Sequence, residues 1–370
     1  MKTFIIVPQI GEYESTNEFC SDFNIGCADL VFLSKSTEKY FKDKLNGAHV
    51  IYRGDYGKGE PTDMMVEAIY KDIKGFDYKR VIAIGGGTII DVAKLLALKT
   101  YHPVVDLFNK EIPAERNKEL IIVPTTCGTG SEVTNISILE LTQINTKMGL
   151  ADNALFPDYA VLIPELLNDL PYNFFATSSI DALIHAMESY LSPKATTLSS
   201  SFSVSAIKHI LKGYMEIYKN GKDARIPLLK DFLIGSTEAG VAFGNAGCGY
   251  VHAMSYPFSA TYHVAHGEAN YVLFMAIFKE YQKQKPEGKI KELSKLLSQI
   301  IGCSEIETFS KLEEVLNSIL PQKKISEYGV QQTDIPAFTK VTVEKQTRLT
   351  ANGYIPFSPE NVQKIYESVF

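Results

Sequence analysis

Asp181 and His185 stand four positions apart in SSIDALIHAMESYLS (178–192), surrounded by Ile180, Ala182, Leu183, Ile184, Ala186 and Met187. On a helix, positions i and i+4 share a face, so this carboxylate and imidazole point the same way. A single histidine on an apolar helix is usually a satisfied core residue. Downstream, however, GYVHAMSYPFSATYHVAHGEAN (249–270) carries His252, His263 and His266, three of the seven histidines in the chain. Asp181, His185 and two of these three offer one oxygen and three nitrogens, a donor set for a divalent transition metal. Imidazoles suit iron, zinc, nickel or copper, and the residues alone do not choose among them. An ion so held polarises an alcohol or carbonyl oxygen and eases hydride transfer at the adjoining carbon.

Two polar loops upstream point to the hydride's other carrier. VIAIGGGTIIDVAK (81–94) reads as strand, three glycines, helix. Glycines let backbone approach a pyrophosphate, and the helix start offers N–H groups and a positive dipole end. Thr88 adds a hydroxyl, Asp91 suits the dipole, and Lys94 reads as the surface partner of Asp91. The Gly-x-Gly-x-x-Gly fingerprint is absent, so this is not the standard Rossmann turn. VPTTCGTGSEVT (123–134) again follows a strand and groups Thr125, Thr126, Thr129 and Ser131 with Gly128 and Gly130. A cap and turn would use one or two of those hydroxyls. Four at the edge where open α/β sheets bind ligands indicate a nucleotide.

The elements that must carry these residues fall into two textures. Up to about residue 165, strand-like runs at 28–34, 48–54, 80–85 and 119–124 alternate with helical patterns at 61–74 and 88–100. That alternation predicts a parallel sheet with right-handed crossovers. Three further strand-like pieces, at 133–141, 147–152 and 159–164, read as an appended part of the same domain. After Pro171 the pattern turns helical, with amphipathic segments such as 289–302 and 308–320. The expected organisation is an α/β nucleotide-binding domain over 1–168, followed by an all-helical metal-binding and substrate domain over 169–370.

Composition bounds the function. The 370 residues are 45% hydrophobic and 22% charged, with net charge -6, ordinary for a globular chain of two domains. No dense Lys or Arg run marks a nucleic-acid or anionic-membrane surface. No apolar stretch reaches the ~20 residues that span a bilayer. The opening MKTFIIVPQIGEYE lacks the features of a secretory signal and reads as an edge strand. Five scattered cysteines, with no Cys-x-x-Cys pair, suggest free thiols in a reducing cytoplasm rather than a disulfide framework or cysteine zinc site.

Taken in order, GGGTIIDVAK, PTTCGTGSEVT, DALIHAMESY and HAMSYPFSATYHVAHGEAN resemble the iron-dependent (group III) alcohol dehydrogenase family over nearly the whole chain. The resemblance implies that family's fold, with catalysis in the cleft between its two domains. It also implies one Asp and three His as metal ligands, the first two four apart and the last two fourteen apart. Those intervals select Asp181, His185, His252 and His266 and leave out His263. The implied ion is Fe²⁺, with Zn²⁺ as the alternative. For the cofactor, Gly86, Gly87, Thr88 and Asp91 are implied at the pyrophosphate and nicotinamide, Thr125, Thr126 and Thr129 at the adenosine or ribose, and Lys147 at a ribose hydroxyl. NAD is expected on family frequency. NADP stays open because Ser34 and Lys35, not an acidic residue, follow the strand at 28–34.

Some positions depart from the family's pattern. Many relatives carry a second histidine four residues after the third ligand as a proton relay, where this chain has Tyr256. Tyr256, His263, or ribose and water are the candidate proton paths. Cys127 occupies a position that is usually alanine, and Tyr354 replaces an arginine that relatives often carry after Asn352. The segment 251–270 and the closing region look most like members acting on 4-hydroxybutyrate and succinate semialdehyde. That substrate would be a small-molecule partner with Phe243 as an apolar wall and Arg348 at its carboxylate. A general alkanol or 1,3-propanediol-type dehydrogenase is the runner-up. A dehydroquinate-synthase-like lyase is the alternative of another class, but its phosphate ester would call for more Lys and Arg than the segment from Asp181 to Asn270 offers. The family also implies a homodimer or higher homo-oligomer.

Overall fold

The computed structural model describes residues 2–144 and 146–370. Contacts divide them into an α/β unit of residues 6–170 and a helical unit of residues 171–370 joined by residues 2–5.

In the α/β unit, β1 (Gln9–Glu12) precedes α1 (Thr16–Asp22), β2 (Asp29–Leu33) and β3 (His49–Tyr52). Next come α2 (Asp63–Ile73), β4 (Arg80–Gly85), α3 (Gly87–Leu96), α4 (Val104–Phe108) and β5 (Glu119–Pro124). The hairpin strands β6 (Ile136–Leu141) and β7 (Thr146–Ala151) are followed by β8 (Tyr159–Leu162). Among the described residues a six-stranded sheet runs β1-β8-β5-β4-β2-β3, with every pairing parallel. The inner strands are buried along nearly their whole length, which is why they read as continuous apolar runs rather than alternating ones. Leu30, Phe32, Val81, Ala83, Leu120 and Ile122 join Val66 and Ile69 of α2 and Ile90 and Leu95 of α3 in one core. Pairing of Ile84 with Val123 and Gly85 with Pro124 brings the ends of β4 and β5 level, so the two polar loops leave the sheet side by side.

Of the three pieces read as an appendage, only β6 and β7 stand apart, as an antiparallel pair. β8 lies inside the main sheet between β1 and β5, because Ala160, Val161 and Leu162 are buried. The opening segment also differs from expectation. Only Gln9–Glu12 forms the edge strand, while Lys2 and Ile5 bond within the helical unit, to the carbonyls of Pro193 and Ala195 and to the Asn245 side chain.

The helical unit runs α5 (Tyr172–Leu191), α6 (Thr197–Asn220), α7 (Leu229–Ala246), α8 (Tyr250–Tyr262) and α9 (His266–Gln284). It continues through α10 (Lys289–Ile301), α11 (Thr308–Ile319), α12 (Ile335–Lys345), α13 (Thr347–Thr350) and α14 (Pro359–Ser368). Helix α5 packs against α6, α7 and α9, and this central place explains its apolar surroundings on every side. Gly213 of α6 lets α7 come close, since a Cβ there would lie 2.3 Å from the Phe232 ring. Among the described residues, no helix is long and apolar enough to cross a membrane.

Candidate active site

Three helices of the helical unit converge on one cluster. Asp181 and His185 come from α5, His252 from the first turn of α8, and His266 from the start of α9. Their donor atoms all lie within 4.8 Å of one another. His185 Nε2 and His252 Nε2 are 2.9 Å apart, and carboxylate oxygens of Asp181 lie 4.0 Å from Nε2 of both His252 and His266. Bonds of about 2.0–2.2 Å place the donors of a four-coordinate ion roughly 3.3–3.5 Å apart, and these separations straddle that value. Two imidazole nitrogens in contact need a proton or a shared cation between their lone pairs. A carboxylate and three imidazoles therefore fit a divalent ion in both chemistry and spacing. Burial pushes the Asp181 carboxyl up, but His185, His266, His252 and the Asn270 amide outweigh it and hold the group below the usual carboxylate range.

Around the donors sit groups that orient them. The Asn270 amide donates to Asp181 Oδ1 at 2.7 Å and lies 3.1 and 3.2 Å from Nε2 of His252 and His266. Its own Oδ1 is buried without a hydrogen-bond partner among the described residues. Glu188 Oε2 meets His252 Nδ1 at 2.7 Å, and the Val251 N–H donates to Glu188 Oε1 at 2.7 Å. Phe243 stacks on the His185 ring with centroids 4.3 Å apart. Neither Glu188 nor Asn270 was singled out from the sequence, though both carried a signal. Glu188 is seven residues after Asp181 on the same face of α5, and Asn270 is four after His266 on α9.

The candidate proton carriers part company. Tyr256, one turn after His252, lies with its ring 5.8 Å from that of His266. Its hydroxyl is pushed up to about 12, chiefly by burial. His263 caps the C-terminal end of α8 in a left-handed conformation (φ 52°) with its backbone N–H donating to the Ser259 carbonyl, and its exposed side chain makes no hydrogen bond, ion pair or ring contact among the described residues. On the substrate side, Leu349 packs with Cys248 and Ala253 in a cluster against which Phe243 and Tyr256 also pack. Its neighbour Arg348 is exposed and without an ion-pair partner among the described residues.

The α/β unit supplies the second set. Gly86 is the N-cap of α3, and the N–H groups of the first turn have no partner within the helix. A Cβ on Gly87 would come within 3.0 Å of Thr129 and one on Gly86 within 3.2 Å of Thr126, so the glycine loop and the threonine loop are packed together. Gly130 sits in the left-handed region (φ 56°), which turns the second loop back toward α3. Thr125 is buried, and its N–H donates to the Gly85 carbonyl at 3.1 Å. Thr88 Oγ1 reaches the Gly59 carbonyl at 3.4 Å.

Asp91 and Lys94 differ from their sequence reading. Lys94 is fully buried, not a surface residue, and donates to Ser131 Oγ, Thr134 Oγ1 and the Ile136 carbonyl at 2.7, 3.1 and 2.6 Å. Asp91 serves less as a dipole partner than as an acceptor, from Ser131 Oγ at 2.7 Å and the Ile138 N–H at 3.1 Å. Together they tie the threonine loop and the β6–β7 hairpin to α3. Burial pushes the Lys94 ammonium down to about 8 despite Asp91 and Glu132 nearby. Lys147, on β7, pairs with Glu60 at 2.6 Å, an acidic partner not foreseen from the sequence.

Comparison with known proteins follows this division of labour. Residues 10–164 match the model of the iron-containing alcohol dehydrogenase family, and residues 175–370 that of the C-terminal part of the Fe-containing alcohol dehydrogenase family. The chain is 47% identical over 371 residues to a 4-hydroxybutyrate dehydrogenase of Clostridium kluyveri, with both proteins covered completely. It is 34% identical to long-chain-alcohol dehydrogenase 1 of Geobacillus thermodenitrificans, over 78% of this chain and 74% of that protein. Among solved structures, a 1,3-propanediol oxidoreductase superposes with TM-score 0.85 at 21% identity, over the full length of both chains. A sulfoacetaldehyde reductase from Bifidobacterium kashiwanohense in complex with NAD+ gives 0.86 at 20% identity, over 100% of this chain and 98% of that one.

Proposed function

The chain belongs to the iron-containing alcohol dehydrogenase family and is a metal-containing alcohol dehydrogenase, and we propose that it interconverts 4-hydroxybutyrate and succinate semialdehyde using NAD. Asp181, His185, His252 and His266 hold the ion, iron by family character, with zinc suited to the same donors. When bound, the metal supplies a Lewis acid that polarises the reacting oxygen, and the nicotinamide supplies or takes the hydride.

The chain's own residues do the rest. The first turn of α3, with Gly86, Gly87 and Thr88, receives the pyrophosphate, while Thr125, Thr126 and Thr129 line the adenosine side and Lys147 approaches a ribose hydroxyl. Asp91 acts by holding this loop in place through Ser131. NAD is favoured over NADP because Lys35, the one cation in the turn after β2 (34–37), already faces Asp55 at 3.8 Å, which offsets its pull on a 2′-phosphate. Phe243 forms an apolar wall against His185 and excludes water from the donors. Tyr256 keeps its proton throughout the neutral range and so acts as a hydrogen-bond donor rather than a base. Proton exit is assigned to ribose and water.

The observation that carries the substrate assignment is the 47% identity, over the full length of both proteins, to a 4-hydroxybutyrate dehydrogenase, and the exposed Arg348, next in sequence to Leu349 of the Phe243–Tyr256 cluster, supplies a cation suited to that substrate's carboxylate. Steady-state kinetics on 4-hydroxybutyrate, 1-butanol and 1,3-propanediol, each with NAD and NADP, test it. The highest kcat/KM is expected for 4-hydroxybutyrate with NAD. Arg348→Gln should lower that value roughly 10- to 100-fold and leave 1-butanol unchanged, the cost of a charge-assisted hydrogen bond. Equal values for the three substrates would overturn the assignment.

The same reading places the enzyme in the cytoplasm, supported by five free cysteines. It makes the protein a homo-oligomer, supported by the exposed apolar run Ile5, Ile6, Val7 and Ile10 at the chain's start.

A further inference from the structure

We infer that Glu188 is a positioning residue for the metal centre: its two carboxylate oxygens fix which nitrogen of His252 is free to bind the ion. This rests on the assignment of Asp181, His185, His252 and His266 as ligands. Glu188 is 3% exposed and lies on the same stripe of α5 as Asp181 and His185, at i+7 and i+3 from them. One oxygen, Oε1, accepts the Val251 N–H at 2.7 Å, an amide of the first turn of α8 that has no partner within the helix. The other, Oε2, lies 2.7 Å from His252 Nδ1. A carboxylate only accepts, so the proton of a neutral His252 must sit on Nδ1, and Nε2 is left with its lone pair toward His185, Asp181 and Asn270.

The backbone fixes the carboxylate in turn. A Cβ on Gly249 would lie 3.1 Å from Glu188 Oε1, so glycine there leaves room for the acid at the helix start. The same carboxylate thus caps α8, sets the rotation of His252 and selects its tautomer. A partner of this kind behind a metal-bound imidazole typically changes metal affinity 10- to 100-fold.

Glu188→Gln separates these roles. Its single carbonyl oxygen can take the Val251 N–H, but its amide then faces Nδ1 as a donor and favours the proton on Nε2, where a ligand cannot carry one. The test titrates Zn²⁺ and Co²⁺ into metal-free wild-type, Glu188→Gln and His266→Ala proteins against a competing chelator, with thermal melts of the metal-free forms as the fold control. Glu188→Gln is expected to bind each ion roughly 10- to 100-fold more weakly while its metal-free melt stays close to wild type. Affinity within twofold of wild type in a folded variant would overturn the inference. Undiminished binding by His266→Ala would instead overturn the ligand assignment beneath it. If Glu188→Gln does not fold, ¹⁵N NMR of the zinc-loaded wild type decides: a proton on His252 Nδ1 supports the inference, and a bare Nδ1 contradicts it.

Discussion

The two units build their sites from different materials. In the helical unit the proposed metal donors are side chains on helices, and each has a neighbour that orients it: Glu188 behind His252, Asn270 on Asp181 and beside His266, Phe243 against His185. In the α/β unit the proposed nucleotide loops rest on backbone N–H groups, missing Cβ atoms and small hydroxyls, drawn together by the half-buried Asp91 and the buried Lys94. The difference follows from the ligand. A metal ion is a point that wants a few donors at fixed distances, whereas a dinucleotide is an extended anion that a loop and a helix start can cradle. Damage should therefore differ too: all-or-none among the donors, graded among the loops.

The largest effect is expected from His266→Ala. It should release the ion and lower NADH formation with 4-hydroxybutyrate by at least roughly a thousandfold, since several kcal/mol of Lewis-acid stabilisation is lost. NAD affinity, measured by fluorescence titration, should stay within about twofold if the nucleotide loops are an independent site.

Lys94→Met should do the reverse and to a smaller extent. It leaves two buried acceptors, the Ser131 and Thr134 hydroxyls, and the partly buried Ile136 carbonyl without their donor. The expected result is a loss of about 3 kcal/mol in stability by denaturant titration, and about a tenfold rise in the Kd for NAD. Bound metal per chain should be unchanged. A matching loss of metal would erase the distinction between the two regions.

Tyr256→Phe should be the mildest. Its hydroxyl, held at about 12, stays protonated through the working range. The shape of the pH–rate profile between about pH 6 and 10 should therefore be that of the wild type, with kcat reduced by less than about tenfold. Loss of a limb of the profile would make Tyr256 the proton carrier.

How far each region could be read from sequence follows the same division. His185 alone reads as a core histidine; the three histidines of 249–270 turned it into a metal candidate, and the intervals of the family resemblance picked His252 and His266 over His263. The inner strands and their parallel arrangement were open to reading from unbroken apolar runs alternating with helical patterns, though not the order in which they pair. Lys94 was misread as a surface residue because a lysine next to an aspartate on a helix is ordinarily solvated, and nothing local reveals that the hairpin β6–β7 folds over it. The place of β8 in the main sheet was hidden for a related reason: pairing across the chain is a long-range event that a short apolar run does not encode. Glu188 was passed over because, on helix spacing alone, it looks like any glutamate near a helix end, and only the approach of α8 gives it a partner.

The central claim is that a single ion, held by Asp181, His185, His252 and His266, is required for the reaction. Titrating Fe²⁺ or Zn²⁺ anaerobically into metal-free protein, while following NADH formation from 4-hydroxybutyrate and NAD, tests it most directly. Activity should rise from near zero and level off at one ion per chain; full turnover without metal, or a plateau at any other stoichiometry, would contradict it.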